Sequence, residues 1–86
     1  MESTKEEDLR KFITDALRAR GDRKSFVDGD SLFLSGRLDS LSMMMMVVHL
    51  ESTFGIDFSE VDFDVELIDS LSDIISFVDK DTVNRS

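Results

Sequence analysis

The stretch Gly36-Arg37-Leu38-Asp39-Ser40-Leu41, followed by Ser42-Met43-Met44-Met45-Met46-Val47-Val48-His49-Leu50-Glu51, marks the point where a polar loop ends and an apolar helix begins. Asp39 suits the N-cap, since its carboxylate can accept a hydrogen bond from the backbone N–H of Leu41 or Ser42. Ser40 then becomes the first helical residue, with its hydroxyl in solvent at the positive end of the helix dipole. Backbone amides and dipole both favour an anion there. The junction therefore suits a serine that receives a phosphate-linked group.

The chain before this junction predicts a helix and then a long loop. Ser3 and Thr4 each precede a glutamate by three residues, which is a capping-box pattern. We place the first helix at about 4–20, with Gly21 just beyond its end and one apolar face made of Leu9, Phe12, Ile13, Ala16 and Leu17. Residues 21–39 follow as a loop without regular structure. We expect its apolar side chains to pin it to the body of the protein, through Phe26, Leu32, Phe33, Leu34 and Leu38.

The helix that starts at Ser40, predicted at about 40–54, has two apolar faces. At 100° per residue, one arc forms the core face and holds Met43, Met46, Val47, Leu50 and Phe54. A second arc, which we call the apolar seam, holds Leu41, Met44, Met45 and Val48. Either the loop of residues 21–39 covers the seam, or the seam is a contact surface beside Ser40. We favour a contact surface with the loop over one edge, because exposed apolar patches usually mark interaction sites.

The last third of the chain predicts two further helical pieces. Apolar and polar residues alternate from Val61 to Val65, but a lone strand is not stable. We therefore expect an irregular segment with one short helix at about 60–66. Ser70 and Asp73 open a last helix, with Leu71, Ile74, Ile75 and Val78 on one face, fraying by about Asp81 and ending in a tail at 83–86. The pattern predicts one all-α domain over 1–86, with an ordered core at about 4–80.

The composition limits the classes of protein to which this chain can belong. A chain of 86 residues with 41% hydrophobic residues supports one small core. There is no cysteine for disulfides or thiolate metal sites, and no apolar run approaches the roughly 20 residues of a membrane span. The net charge of −9 argues against nucleic acid and anionic membranes as partners and suits partners with basic patches. The polar, acidic amino terminus is unlike a signal peptide, so we expect a cytoplasmic monomer.

The sequence offers little for catalysis or metal binding. Ser40 lacks the Gly-x-Ser-x-Gly arrangement of a hydrolase elbow. His49, the only histidine, lies roughly 13 Å along the same helix and on its opposite side, where we expect it in solvent. We therefore expect no catalytic residue and no enzyme activity. We interpret the carboxylates of the last third as a solvated acidic edge rather than a metal site: Asp57, Glu60, Asp62, Asp64, Glu66 and Asp69.

Asp39-Ser40-Leu41 at a helix start, after a long loop and a first helix, resembles the attachment site of the acyl and peptidyl carrier proteins, over about Leu9 to Val78. The resemblance implies a four-helix bundle with a long loop between helices 1 and 2 and a short third helix. A phosphopantetheinyl transferase would move phosphopantetheine from coenzyme A onto Ser40, with Asp39 and Leu41 as the flanking residues that it reads. An acyl or aminoacyl loading enzyme would form a thioester on the arm. This enzyme and downstream transferases would dock on the second helix, at Leu41, Met44, Met45, Val48 and Glu51.

The second helix departs from the carriers of fatty-acid synthesis, which usually have several carboxylates along it. The corresponding face here holds Ser42, Met45 and Ser52, and Glu51 is its main acidic residue. The segment Phe54-Gly55-Ile56-Asp57, followed by Phe63-Asp64 and a helix start at Ser70, is spaced like the D-alanyl carrier proteins. We therefore expect a carrier for a specialised acyl or aminoacyl pathway. The alternative is an unmodified helical adaptor that binds a partner through the apolar seam.

Overall fold

The computed structural model describes residues 4–60 and 63–85, and side chains over 4–59 and 63–80. It contains three α-helices, α1 (Lys5–Ala19), α2 (Ser40–Phe54) and α3 (Leu71–Arg85), and two single 3-10 turns at Phe58–Glu60 and Val65–Leu67. Within these described ranges there is no strand. The predicted all-α fold is confirmed.

Helix α1 begins and ends as its sequence predicts. The Thr4 side chain accepts a hydrogen bond from the Glu7 amide at 3.0 Å, which caps the first turn. At the other end Gly21 has a φ of 84°, a conformation that side chains with a Cβ rarely adopt. Its amide donates to the carbonyl of Arg18 at 2.9 Å. Between these two ends α1 buries one face, made of Leu9, Ile13 and Leu17.

Helix α3 begins as predicted but is longer than expected. The Ser70 hydroxyl oxygen accepts from the Asp73 amide at 3.1 Å. The helix then continues to Arg85, so the predicted fraying at Asp81 is wrong, and Ser86 lies outside the described residues. Residues 81–85 include neither glycine nor proline, so each amide can still donate to the carbonyl four residues earlier.

Where one short helix was predicted at about 60–66, the described residues hold two 3-10 helices, at Phe58–Glu60 and Val65–Leu67. Asp57 accepts from the Ser59 amide and Asp64 from the Glu66 amide, each at 3.0 Å. Such local side-chain bonds compete with helix continuation. Residues 61–62 of the predicted helix lie outside the description. The described residues therefore contain three α-helices and two 3-10 helices, and the fourth helix that the resemblance implied stays a prediction.

The three helices enclose one hydrophobic core, to which the loop between α1 and α2 contributes. Leu32, Phe33 and Leu38 from the loop are buried in it, and Phe26 packs against it half-buried. This agrees with the prediction that apolar side chains pin the loop. Leu34 was expected to do the same but is 64% exposed, because its side chain points to solvent while its amide is bonded inward.

Two polar side chains also fix the loop, and the first is Asp69. Its carboxylate accepts from the Ser31 hydroxyl at 2.6 Å and from the amides of Phe33 and Leu34 at 2.8 and 2.9 Å. Burial acts to raise the pKa of Asp69, but these hydrogen bonds outweigh it and hold the pKa below its ordinary value. The interpretation of Asp69 as part of a solvated acidic edge is wrong, since it is buried beneath the loop.

The second is Arg37, which ties the end of the loop to its beginning. Its Nε lies 3.1 Å from Asp22 Oδ2, and its Nη2 donates to the carbonyl of Lys24 at 2.8 Å. The hydrogen bond from Arg37, followed by that from the Lys24 amide, lowers the pKa of Asp22. Arg37 precedes Asp39 by two residues, so these contacts place the start of α2.

Candidate functional site

The start of α2 has the predicted cap. Asp39 has extended backbone angles, and its Oδ1 accepts from the Ser42 amide at 2.9 Å. Its carbonyl accepts from the Met43 amide at 3.0 Å, which closes the first helical turn. Ser40 is thus the first residue of α2, and its side chain is exposed. Within the described residues no hydrogen bond engages the Ser40 hydroxyl, so this oxygen is free to react.

Asp39 has a second partner that the sequence analysis missed. Arg20, which follows α1, places its Nη1 2.8 Å from Asp39 Oδ2. The pKa of Asp39 is lowered by the hydrogen bonds of the Ser42 amide and hydroxyl, and further by the charge of Arg20. No local pattern predicts this ion pair, because the two residues lie on either side of the long loop.

Ser42 does not lie on the face where the sequence analysis placed it. It was assigned to the face that partner enzymes contact, but it is buried, with 8% of its surface exposed. Its amide donates to Asp39 Oδ1 at 2.9 Å. Of the serines at this junction, Ser40 is the accessible one.

The apolar seam is exposed along its whole length. Exposed fractions are 64% for Leu41, 66% for Met44, 52% for Met45 and 58% for Val48. These residues line an open groove of about 450 Å³ between α1 and α2, together with Phe12, His49 and Ser52. The loop does not cover an edge as expected, since all of the lining residues belong to the two helices. Glu51 is exposed beside the seam.

His49 joins α2 to α1 instead of facing solvent, so its predicted position is wrong. Its Nε2 lies 2.6 Å from Asp8 Oδ2, and its ring stacks on Phe12 with centroids 4.5 Å apart. The amphipathic pattern of α2 could not predict this, because Asp8 lies 41 positions away in the chain. Asp8 and Phe12 hold the imidazole at the far end of the groove.

The start of α2 offers a hydroxyl to which a group could be attached. It combines a free hydroxyl, a helix N-terminus and an exposed apolar surface. The imidazole that could act as a base is held by Asp8 at the other end of α2. In the described part of the chain, no group of three or more metal-ligating side chains occurs, and no helix is long and apolar enough to cross a membrane.

These features define a class of protein that presents an exposed serine at the start of a helix. The family model described as the phosphopantetheine attachment site matches residues 7–78. Because the match covers most of the chain, the protein belongs to this family, that of the acyl carrier proteins. No curated protein and no solved structure gives a significant match.

Membership in this family identifies the cofactor. This domain is the attachment site of covalent phosphopantetheine, and the helix start supplies the exposed hydroxyl that such an attachment needs. The chain is therefore a phosphopantetheine carrier, which interacts with a phosphopantetheinyl transferase and with the enzymes of its pathway. The carrier interpretation is favoured over the unmodified adaptor.

Proposed function

We propose that Ser40 is the residue that carries phosphopantetheine, and that Asp39 and Leu41 are the flanking residues that the transferase reads. The observation that carries the proposal is the free, exposed Ser40 hydroxyl at the first position of α2. A phosphodiester on this oxygen gains from the amides and dipole of the helix N-terminus. Ser42, the nearest other serine, is buried and bonded to Asp39.

The transfer itself makes few demands on the chain. The Ser40 oxygen bonds to the phosphorus that carries pantetheine in coenzyme A, the bond to the second phosphate breaks, and adenosine 3′,5′-bisphosphate leaves. The proton of the hydroxyl goes to a base on the transferase, since the only imidazole of the chain is held by Asp8. The chain therefore acts as a carrier, and its partners supply the catalysis.

The cargo is an acyl or aminoacyl group of a specialised pathway, held as a thioester on the arm. The apolar seam supports this assignment, because α2 has no charged residue before Glu51 and offers apolar contacts instead. The loading enzyme meets the seam with an apolar groove of its own, and downstream transferases use the same face. The spacing shared with D-alanyl carrier proteins favours an aminoacyl cargo. A monomeric state in the cytoplasm and a single domain over 1–86 complete the proposal.

The experiment is a mass measurement with two serine variants. The apo protein is incubated with coenzyme A and a broad-specificity transferase, and the intact mass is recorded. The native chain should gain the mass of one phosphopantetheine, and Ser40→Ala should gain none. Ser72→Ala is the matched control, since Ser72 is also an exposed serine in the first turn of a helix, α3, and it should be modified as the native chain is.

Folding does not obscure this result. A serine in the first turn of a helix contributes little that alanine cannot replace, so Ser40→Ala should keep the native circular dichroism spectrum. Phosphopantetheine recovered on folded Ser40→Ala, at Ser42 or elsewhere, would show that the wrong serine was chosen. An unmodified native chain would instead support the adaptor.

A further inference from the structure

Arg20 is the positively charged residue that lies beside Asp39, directly before Ser40. Its guanidinium bonds to the carboxylate of Asp39, the residue before Ser40. The left-handed turn at Gly21 ends α1 at this point and so holds Arg20 at the start of α2. The two side chains are 35% and 53% exposed, so a docking protein can reach the pair.

The start of α2 carries little of the protein's net charge of −9, because its one carboxylate, Asp39, is paired with Arg20. Helix α2 has no acidic residue in its first turn, and Glu51 near its end is its only acidic residue. Asp39 is thus the one carboxylate at the start of α2, and the charge of Arg20 cancels it. Most of the negative charge lies elsewhere on the protein.

The ion pair also means that each oxygen of Asp39 already has a partner. The Ser42 amide donates to Oδ1, and the Arg20 guanidinium lies 2.8 Å from Oδ2. A second guanidinium would have to share these oxygens, and it would meet the like charge of Arg20 at close range.

We propose that Arg20 is a specificity-determining residue for the modification of Ser40. It withholds Asp39 from enzymes that dock through arginine or lysine. The partner that fits is a transferase that reads Asp39 with an uncharged hydrogen-bond donor rather than a cation, and that contacts Leu41 and Met44 with an apolar face. This inference rests on the proposed role of Ser40. It means that Arg20 determines which transferases modify the protein, rather than only tethering α1 to α2.

The test uses a transferase whose docking face is basic, so that removal of Arg20 should improve a poor substrate. In Arg20→Gln the KM for the apo protein should fall about two- to fivefold at low salt, the range expected for one exposed ion pair, with kcat unchanged. The gain should shrink as salt is added. It should vanish in an Asp39→Asn background, where asparagine keeps the helix cap but not the charge.

Arg23→Gln is the matched control, because it makes the same change in net charge near the same end of α1. Arg23 has no ion pair in the described part of the chain, so its KM should not change. An unchanged or raised KM for Arg20→Gln would overturn the proposal and leave Arg20 as a tether. A gain that persists with Asp39→Asn, or that Arg23→Gln reproduces, would overturn it too. Peptide mapping of the modified serine separates this result from the role of Ser40, which fails if the added mass lies elsewhere.

Discussion

Replacing Asp69 by alanine should destabilise the protein more than any other single carboxylate change near the loop. The carboxylate accepts three hydrogen bonds, from the Ser31 hydroxyl and from the amides of Phe33 and Leu34. Ser31 and Leu34 are accessible enough to regain water, but Phe33 is buried, so its amide would lose its partner. Hydrogen bonds to a charged group contribute about 1.5–3 kcal/mol each, and a stranded buried donor costs about 1–3 kcal/mol. We expect a loss of about 2–4 kcal/mol, out of the roughly 5–15 kcal/mol typical of a domain.

Urea denaturation followed by circular dichroism measures this loss, and the slope of the transition should stay unchanged. Asp64→Ala is the control, because its exposed carboxylate accepts one hydrogen bond, from the Glu66 amide, and it should cost less than about 1 kcal/mol. Amide exchange gives a local readout: Phe33 and Leu34 should lose protection in Asp69→Ala while α1 keeps its own. A loss below about 1 kcal/mol, or unchanged protection of these two amides, would refute the role of Asp69 in fixing the loop.

Four further predictions concern modification, loading and pH. Asp39→Ala should slow the transfer of phosphopantetheine roughly tenfold, the order expected when a charge-assisted contact is lost; a normal initial rate on the folded fraction, measured by circular dichroism, would contradict this role. Met45→Glu should reduce loading by the cognate enzyme about tenfold or more, since burial of a methionine is worth roughly 1.5–3 kcal/mol, while Met45→Leu should load almost normally. Loading of the native chain should tolerate moderate salt, because apolar burial is not screened, and its abolition by salt would rule out an apolar docking face. Because hydrogen bonds lower the pKa of Asp69 below its unfolded value of about 3.9, its contribution is present above that value and is lost as the pH falls through the folded pKa. Urea midpoints should therefore fall as the pH drops below about 4, and fall less in Asp69→Asn.

The features that the sequence determined by itself depend on residues within one helical turn of each other. The caps at Thr4, Asp39 and Ser70 each bond to an amide three residues ahead. The left-handed residue at Gly21 closes a bond to a carbonyl in the preceding turn. Such interactions follow from residue type and spacing, so the bounds of α1, the start of α2 and the exposed position of Ser40 could be predicted. The buried faces followed from the helical period in the same way.

The tertiary structure alone decided which polar side chains meet across the fold. Asp69 reaches Ser31 over 38 positions and His49 reaches Asp8 over 41, and Arg20 joins Asp39 across the loop. In the sequence these residues look like ordinary surface charges, because periodicity shows which face of a helix is apolar but not which neighbour lies opposite it. The path of the loop brings these partners together, since a buried polar group must find a hydrogen bond inside the fold. The apolar seam is the converse case: its pattern was visible in the sequence, but only the packing of α1 against α2 left it open beside Ser40.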